Sequence, residues 1–271
     1  MKLNIYEHAR DIFLDTLNVD DYLELDRRSD IYGYLKNSTT KPLKIILLYG
    51  KPGTGKSMLL LKLYQDLLST QKVHLYQTPI LDENEFFKTI AQDLYEMNYN
   101  NELNFTQFMK VVENKNPQEN KIPLILLDEA QLYSSSLMEK IRLLADTRKV
   151  KFIIALHKTQ KEDIIAKEHF QTRIWESIQL ENASTSELKI YIQKKLMKAN
   201  FLDIASMFSS KSVNLIHKFT DGNYRNTNKL LYTLFDIYDY YDKNAPSKIK
   251  KGKVLNDIIE MSAIQTGFIN A

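Results

Sequence analysis

Seven glycines serve a chain of 271 residues, and three of them, Gly50, Gly53 and Gly55, fall within the stretch LLYGKPGTGKSMLL. Glycine lets the backbone take positive φ and approach another group closely. Gly50 to Ser57 reads G-x-x-x-x-G-K-S, the spacing of a phosphate-binding loop. In such a loop successive main-chain N–H groups turn inward around β- and γ-phosphates, and the following helix adds the positive end of its dipole. The candidate phosphate contacts are Gly50, Lys51, Pro52, Gly53, Thr54, Gly55, Lys56, Ser57 and Met58, with Lys56 reaching the phosphates and Ser57 binding Mg²⁺.

A second cluster lies in LILLDE, where an apolar run ends in Asp128 and Glu129. The first acid at such a tip can hold Mg²⁺, and the second can orient and deprotonate an attacking water. That second acid favours hydrolysis over phosphoryl transfer to a small molecule. His157, at the end of KFIIALH, could touch the γ-phosphate or the attacking water, or be an imidazole exposed at a strand end. Positive charge comes mostly from lysine, so the seven arginines, Arg10, Arg27, Arg28, Arg142, Arg148, Arg173 and Arg225, mark places where a planar forked donor is wanted. Arg173 and Arg225 are candidates for stabilising charge on a γ-phosphate, with pairing to a nearby carboxylate as the plainer alternative. The remaining histidines, His8, His74, His169 and His217, show no ligand spacing and argue against a transition-metal site.

The elements that must position these groups follow from hydrophobic periodicity. KPLKIILLY reads as a buried strand, and Leu59, Leu60, Leu63, Leu67 and Leu68 have helical spacing. KVHLYQ is a second strand, ENEFFKTIAQDLYEM a helix, and 98–104 a loop. IPLILLDEAQ, a helix through LMEKIRLLAD, and the strands KFIIALH and ESIQL complete an alternating pattern. That alternation predicts a parallel sheet with helices on both faces. After Leu180 only helices are expected: one opened by a capping box at Ser184 and Glu187, then SVNLIHKF, NTNKLLYTLFDIYDYY and VLNDIIEMSA. Trp175 and the tyrosines from Tyr232 to Tyr241 are expected in the core. The implied division is an N-terminal helical segment (1–18), an α/β domain (19–182) and a helical domain (183–271).

Composition narrows the choices. With 44% hydrophobic residues the chain can bury a sizeable core. The absence of cysteine excludes disulfides and thiolate metal sites, and fits the cytoplasm. MKLNIYEHARDIFLD is interrupted by Glu7, Asp11 and Asp15 and lacks the apolar centre of a signal peptide. No apolar run approaches a membrane span, so any membrane association is expected to be peripheral. A net charge of +3 is too small to argue for nucleic acid. SKIKKGK, with Lys248, Lys250, Lys251 and Lys253, reads as a solvated loop or a weak anionic contact, and no aromatic residue is interleaved for base stacking.

With these residues placed, the chain resembles AAA+ ATPases, and more narrowly the ExeA/GspA secretion ATPases and the MshM protein of pilus biogenesis. GKPGTGKSMLLLKL, LILLDEAQLYSSSLMEKIRLLAD, KFIIALHKTQKEDI and DGNYRNTNKLL carry the resemblance in order, with YLELDRRSDIYGYL before them. The loop and DEAQ stretches are shared with MuB/TniB transposition ATPases. It implies an α/β fold of the P-loop NTPase kind, an ASCE-type five-stranded parallel sheet flanked by helices, followed by an all-helical lid. It further implies ATP and Mg²⁺ as ligands, Gly50, Lys56 and Ser57 at the phosphates and metal, and Asp128 and Glu129 as the Walker B acids. Arg173 would be a finger reaching a neighbouring subunit of a homo-oligomer, and Arg225 the sensor 2 arginine. The sequence departs from the pattern at His157, the sensor 1 position, where relatives usually carry Gln, and at Tyr224, which replaces Pro. It lacks the membrane helix and cell-wall module that follow in longer members, which points to the short MshM-like form. The function so implied is an ATP-hydrolysing switch in assembly of a type II secretion, type IV pilus or DNA-uptake machine, at the inner membrane through partners. A DNA-binding target-selection ATPase and a non-hydrolysing nucleotide-gated adaptor are the alternatives.

Overall fold

A computed structural model describes residues 5–115, 122–157, 172–250 and 252–270. From the amino end the elements are α1 (Ile5–Asp11), α2 (Asp26–Thr40), β1 (Ile45–Gly50), α3 (Lys56–Leu67), β2 (Val73–Tyr76), α4 (Glu83–Tyr95) and α5 (Phe105–Glu113). There follow β3 (Leu124–Leu127), α6 (Ser135–Asp146), β4 (Lys151–His157) and β5 (Ile174–Leu180). The chain continues with α7 (Thr185–Lys198), α8 (Leu202–Ser206), α9 (Ser210–Thr220), α10 (Tyr224–Asn244) and α11 (Asn256–Gln265). The chain divides into two units, residues 27–180 and residues 1–26 with 181–271.

In the first unit the five strands pair in parallel in the order β2-β3-β4-β1-β5. The central strands are buried on both faces, which is why they read as continuous apolar runs. Alternation along β3 and β4 sends Ile125, Leu127, Phe152 and Ile154 into one cluster with Phe86, Phe87, Phe108, Leu137 and Ile141 from α4, α5 and α6. Each of those buried phenylalanines contributes about 1.5–3 kcal/mol relative to exposure. Helix α3 lies against β1 and β2 through Leu59, Leu60 and Leu63. The register puts Gly50 opposite His157 and Leu127 opposite Ile154, so β1 and β4 end level and β3 stops three residues earlier, all with their carboxyl ends on one edge.

Two helices of this unit are not announced by periodicity. Helix α2 buries a mixed set, Arg28, Leu35, Ser38 and Thr39, and so lacks an apolar stripe. Helix α5 follows the expected loop and opens on a capping box between Asn104 and Gln107. Trp175 corrects an expectation: it is 64% exposed, because β5 is an edge strand and Trp175 lies with Ser177 and Gln179 on its outward face.

The second unit is helical. Its core holds Phe13, Leu188, Ile192, Leu196, Val213, Ile216, Leu231, Phe235 and Ile259. The amino-terminal segment packs within it: Phe13 stacks on Phe235 at 5.7 Å, and Arg10 pairs with Asp236 at 3.1 Å. The expected capping box at Ser184 and Glu187 opens α7. Of the tyrosines expected in this core, Tyr238 is buried, Tyr232 and Tyr241 pack partly, and Tyr240 is exposed because it points away from α1 and α11.

Candidate functional site

The site begins where β1 stops. Gly50 closes the strand so tightly against β5 that an added Cβ would sit 2.3 Å from the Leu180 carbonyl oxygen and 3.0 Å from the Thr54 hydroxyl. Residues 51–55 then turn, with Gly55 at φ 89°, in the left-handed region, immediately before α3. Thr54 is buried and its hydroxyl donates to the Lys51 carbonyl at 2.8 Å, bracing the turn. No side chain caps α3, so the loop presents the helix's amino end with its main-chain donors. Lys56 is only 4% exposed, and its ammonium donates to the carbonyls of Gly50 at 2.9 Å and Lys51 at 3.1 Å. Ser57 and Met58 occupy the first turn and are partly buried.

Asp128, one residue past β3, is 3% exposed. Burial pushes its carboxyl above the ordinary value, and Glu129 adds to the rise. The Ser57 hydroxyl, the Glu129 amide and the charge of Lys56 oppose it. Ser57 and Asp128, expected to share a metal, thus lie close to one another, and Lys56 is near enough to act on the same carboxylate.

Glu129 has φ 49°, an unusual conformation for a side chain of its size, and begins a short turn over Ala130–Leu132. One carboxylate oxygen lies 3.2 Å from His157 Nε2, and the other accepts from the Gln131 amide. The structure therefore assembles Gly50, Lys56, Ser57, Asp128, Glu129 and His157 at the carboxyl edge of the sheet, the usual ligand position in open α/β folds.

Arg173 lies elsewhere in the same unit, and Arg225 belongs to the other unit. Arg173 precedes β5 at the amino end of the strand: Ile174 pairs with Ile45, whereas Leu180 pairs with Gly50. Arg173 is thus about 20 Å along the sheet from its own loop. It pairs with Asp146 at 3.4 Å, and that carboxyl also binds Lys44 and Arg142. Although burial would raise it, Asp146 is held below its ordinary value by Lys44, Arg173 and Arg142. Arg225 lies in the first turn of α10 in the helical unit, and pairs with Asp15 at 3.1 Å. His169, Lys251 and the KTQKEDI segment fall outside the described residues.

Two residues of the site were not singled out by sequence reasoning. Arg28, buried in α2, brings its guanidinium to within 3.7 Å of where a Gly55 Cβ would stand. Its signal was present in the scarcity of arginine. Gln131 touches both Glu129 and His157, and its signal lay only in the DEAQ spelling.

The family model of the AAA domain matches residues 40–164. Among solved structures, Cdc6p from Pyrobaculum aerophilum superposes with a TM-score of 0.66 at 13% identity, covering 94% of this chain and 70% of its own. The Aeropyrum pernix ORC1 protein in complex with DNA gives 0.62 at 14%, covering 94% and 69%. The Thermotoga maritima RuvB Holliday junction branch migration motor gives 0.55 at 14%, covering 93% and 72%. No curated protein matches the sequence. The fold is that of the AAA+ P-loop NTPases. Among the described residues no helix is long and apolar enough to cross a membrane.

Proposed function

We propose that this chain is an ATP hydrolase that works as an oligomeric switch. The observation that carries the reading is that a buried Lys56, folded against the glycine loop, lies close to a buried Asp128 that accepts the Glu129 N–H, at one sheet edge. The loop from Gly50 to Met58 would hold the phosphates by main-chain N–H groups, with Lys56 exchanging its present carbonyl partners for phosphate oxygens. The oxygen donors of Ser57 and Asp128, together with a buried carboxylate in need of a cation, fit Mg²⁺, which favours one or two protein oxygens and keeps the rest for phosphate and water. When bound there, the ion would offset charge on the β- and γ-oxygens. Glu129 would take a proton from water as its oxygen bonds to the γ-phosphorus and the bond to the bridging oxygen breaks, leaving ADP and phosphate. His157 is near enough to Glu129 to help orient that water.

Arg173, remote from its own loop, is suited to the site of a second copy, which would couple assembly to turnover. Arg225 is assigned to sensing the γ-phosphate from the helical unit. The machine served, on the strength of the ExeA/MshM resemblance, is a secretion, pilus or DNA-uptake apparatus at the inner membrane. A second reading, ATP-dependent binding of duplex DNA, is favoured by the likeness to an ORC1 protein in complex with DNA. Steeply salt-dependent binding to a duplex would select it. The hydrolytic reading is tested with Glu129→Gln, which should bind Mg²⁺-ATP as the parent does while turnover falls about 10²- to 10⁴-fold. Undiminished turnover would remove Glu129 as the base.

A further inference from the structure

The reading of Glu129 as base leaves Gln131 without a task, although its side chain reaches both Glu129 and His157. Its amide oxygen accepts the main-chain N–H of His157 at 3.2 Å. Its amide nitrogen donates to Glu129 Oε2 and lies 3.4 Å from His157 Nδ1. Exchanging the amide oxygen and nitrogen would set carbonyl against carboxylate and N–H against N–H, so the chemistry permits one orientation. With the amide nitrogen facing it, His157 Nδ1 must accept. The ring proton then sits on Nε2, which faces Glu129 Oε1 at 3.2 Å. The three side chains close a ring that ties the turn after β3 to the end of β4, across 26 residues of sequence.

We propose that Gln131 is a positioning residue: it holds the Glu129 carboxylate and fixes His157 as the Nε2–H tautomer. The proposal deepens the assignment of Glu129 and rests on it only for its effect on rate. Each carboxylate oxygen offers two lone pairs. One bond to Gln131 and one to His157 therefore fix the carboxylate in direction while leaving acceptor capacity on each oxygen for an attacking water. The positive φ of Glu129 serves the same end, since a backbone held in that region limits where the side chain can swing. Misplacing a reacting group by about 1 Å can lower a rate about 10²-fold, so loosening this ring should be visible in the chemical step.

Two readouts separate this role from a merely structural one. The first is the ¹⁵N spectrum of the five histidine rings in the nucleotide-free full chain, with His157 assigned by its loss in His157→Gln. The parent should show the Nε2–H pattern at His157, and Gln131→Met should change it; an Nδ1–H pattern in the parent would overturn the proposal whatever any variant does. The second compares Mg²⁺-ATP affinity with the single-turnover rate. Gln131→Met should keep its affinity within about threefold while the rate falls about 10- to 100-fold. An unchanged rate, or losses of rate and affinity in equal measure, would refute it. If Glu129→Gln itself remained active, the base assignment would fall, while the ring spectrum would still decide whether Gln131 sets the tautomer.

Discussion

Lys56 and Glu129 both act on Asp128, yet they are held by different kinds of partner. Lys56 is buried and bonded to main-chain carbonyls five and six residues before it. Glu129 is about a third exposed and bonded to side chains, one from its own turn and one from the end of β4. The loop is thus built from backbone geometry that any sequence with its glycines can form. The acid tip is built from side chains that only the complete sheet brings together. On the proposed reading the first would grip the ligand and the second would tune the chemistry, and His157, one of the two places where this chain departs from the pattern it resembles, belongs to the second.

The contrast can be pressed from either side. Asp128→Asn, at the seam between the two regions, should lower Mg²⁺-dependent turnover about 10²-fold. The same change should stabilise the nucleotide-free protein at neutral pH. A carboxyl raised by burial favours its protonated form in the fold, so it subtracts stability once the pH passes the ordinary Asp value of 3.8, fully so above its native value. The advantage of Asn in thermal melts should therefore shrink as pH falls toward that value; a variant less stable at neutral pH would contradict the stated balance of burial and hydrogen bonding. The smallest effects separate two glycines. Gly50→Ala drives a methyl into the Leu180 carbonyl and should lower stability by about 1–3 kcal/mol in denaturant titrations. Gly33→Ala, in α2 with open space around it, should raise stability by about 0.5–1 kcal/mol.

The same contrast explains what the sequence made legible. The glycine loop between strand and helix could be read because strand, turn and helix are contiguous. Asp128 and Glu129 could be read as a pair because an apolar strand ends on them. The link from Gln131 to His157 could not, since it depends on β3 and β4 being neighbours, with the turn after β3 reaching the end of β4. Trp175 misled for a related reason: sheet order, not local spacing, decides that β5 is an edge. Helix α2 was silent because its buried side is largely polar, including the Arg28 that reaches the loop.

The most direct measurement is a crystal structure with a non-hydrolysable ATP analogue and Mn²⁺ in place of Mg²⁺, read by anomalous scattering. The account predicts the triphosphate within the loop from Gly50 to Ser57, and one metal peak bonded to the Ser57 hydroxyl on the side facing Asp128. A triphosphate lodged elsewhere, or a metal away from Ser57 and Asp128, would contradict it.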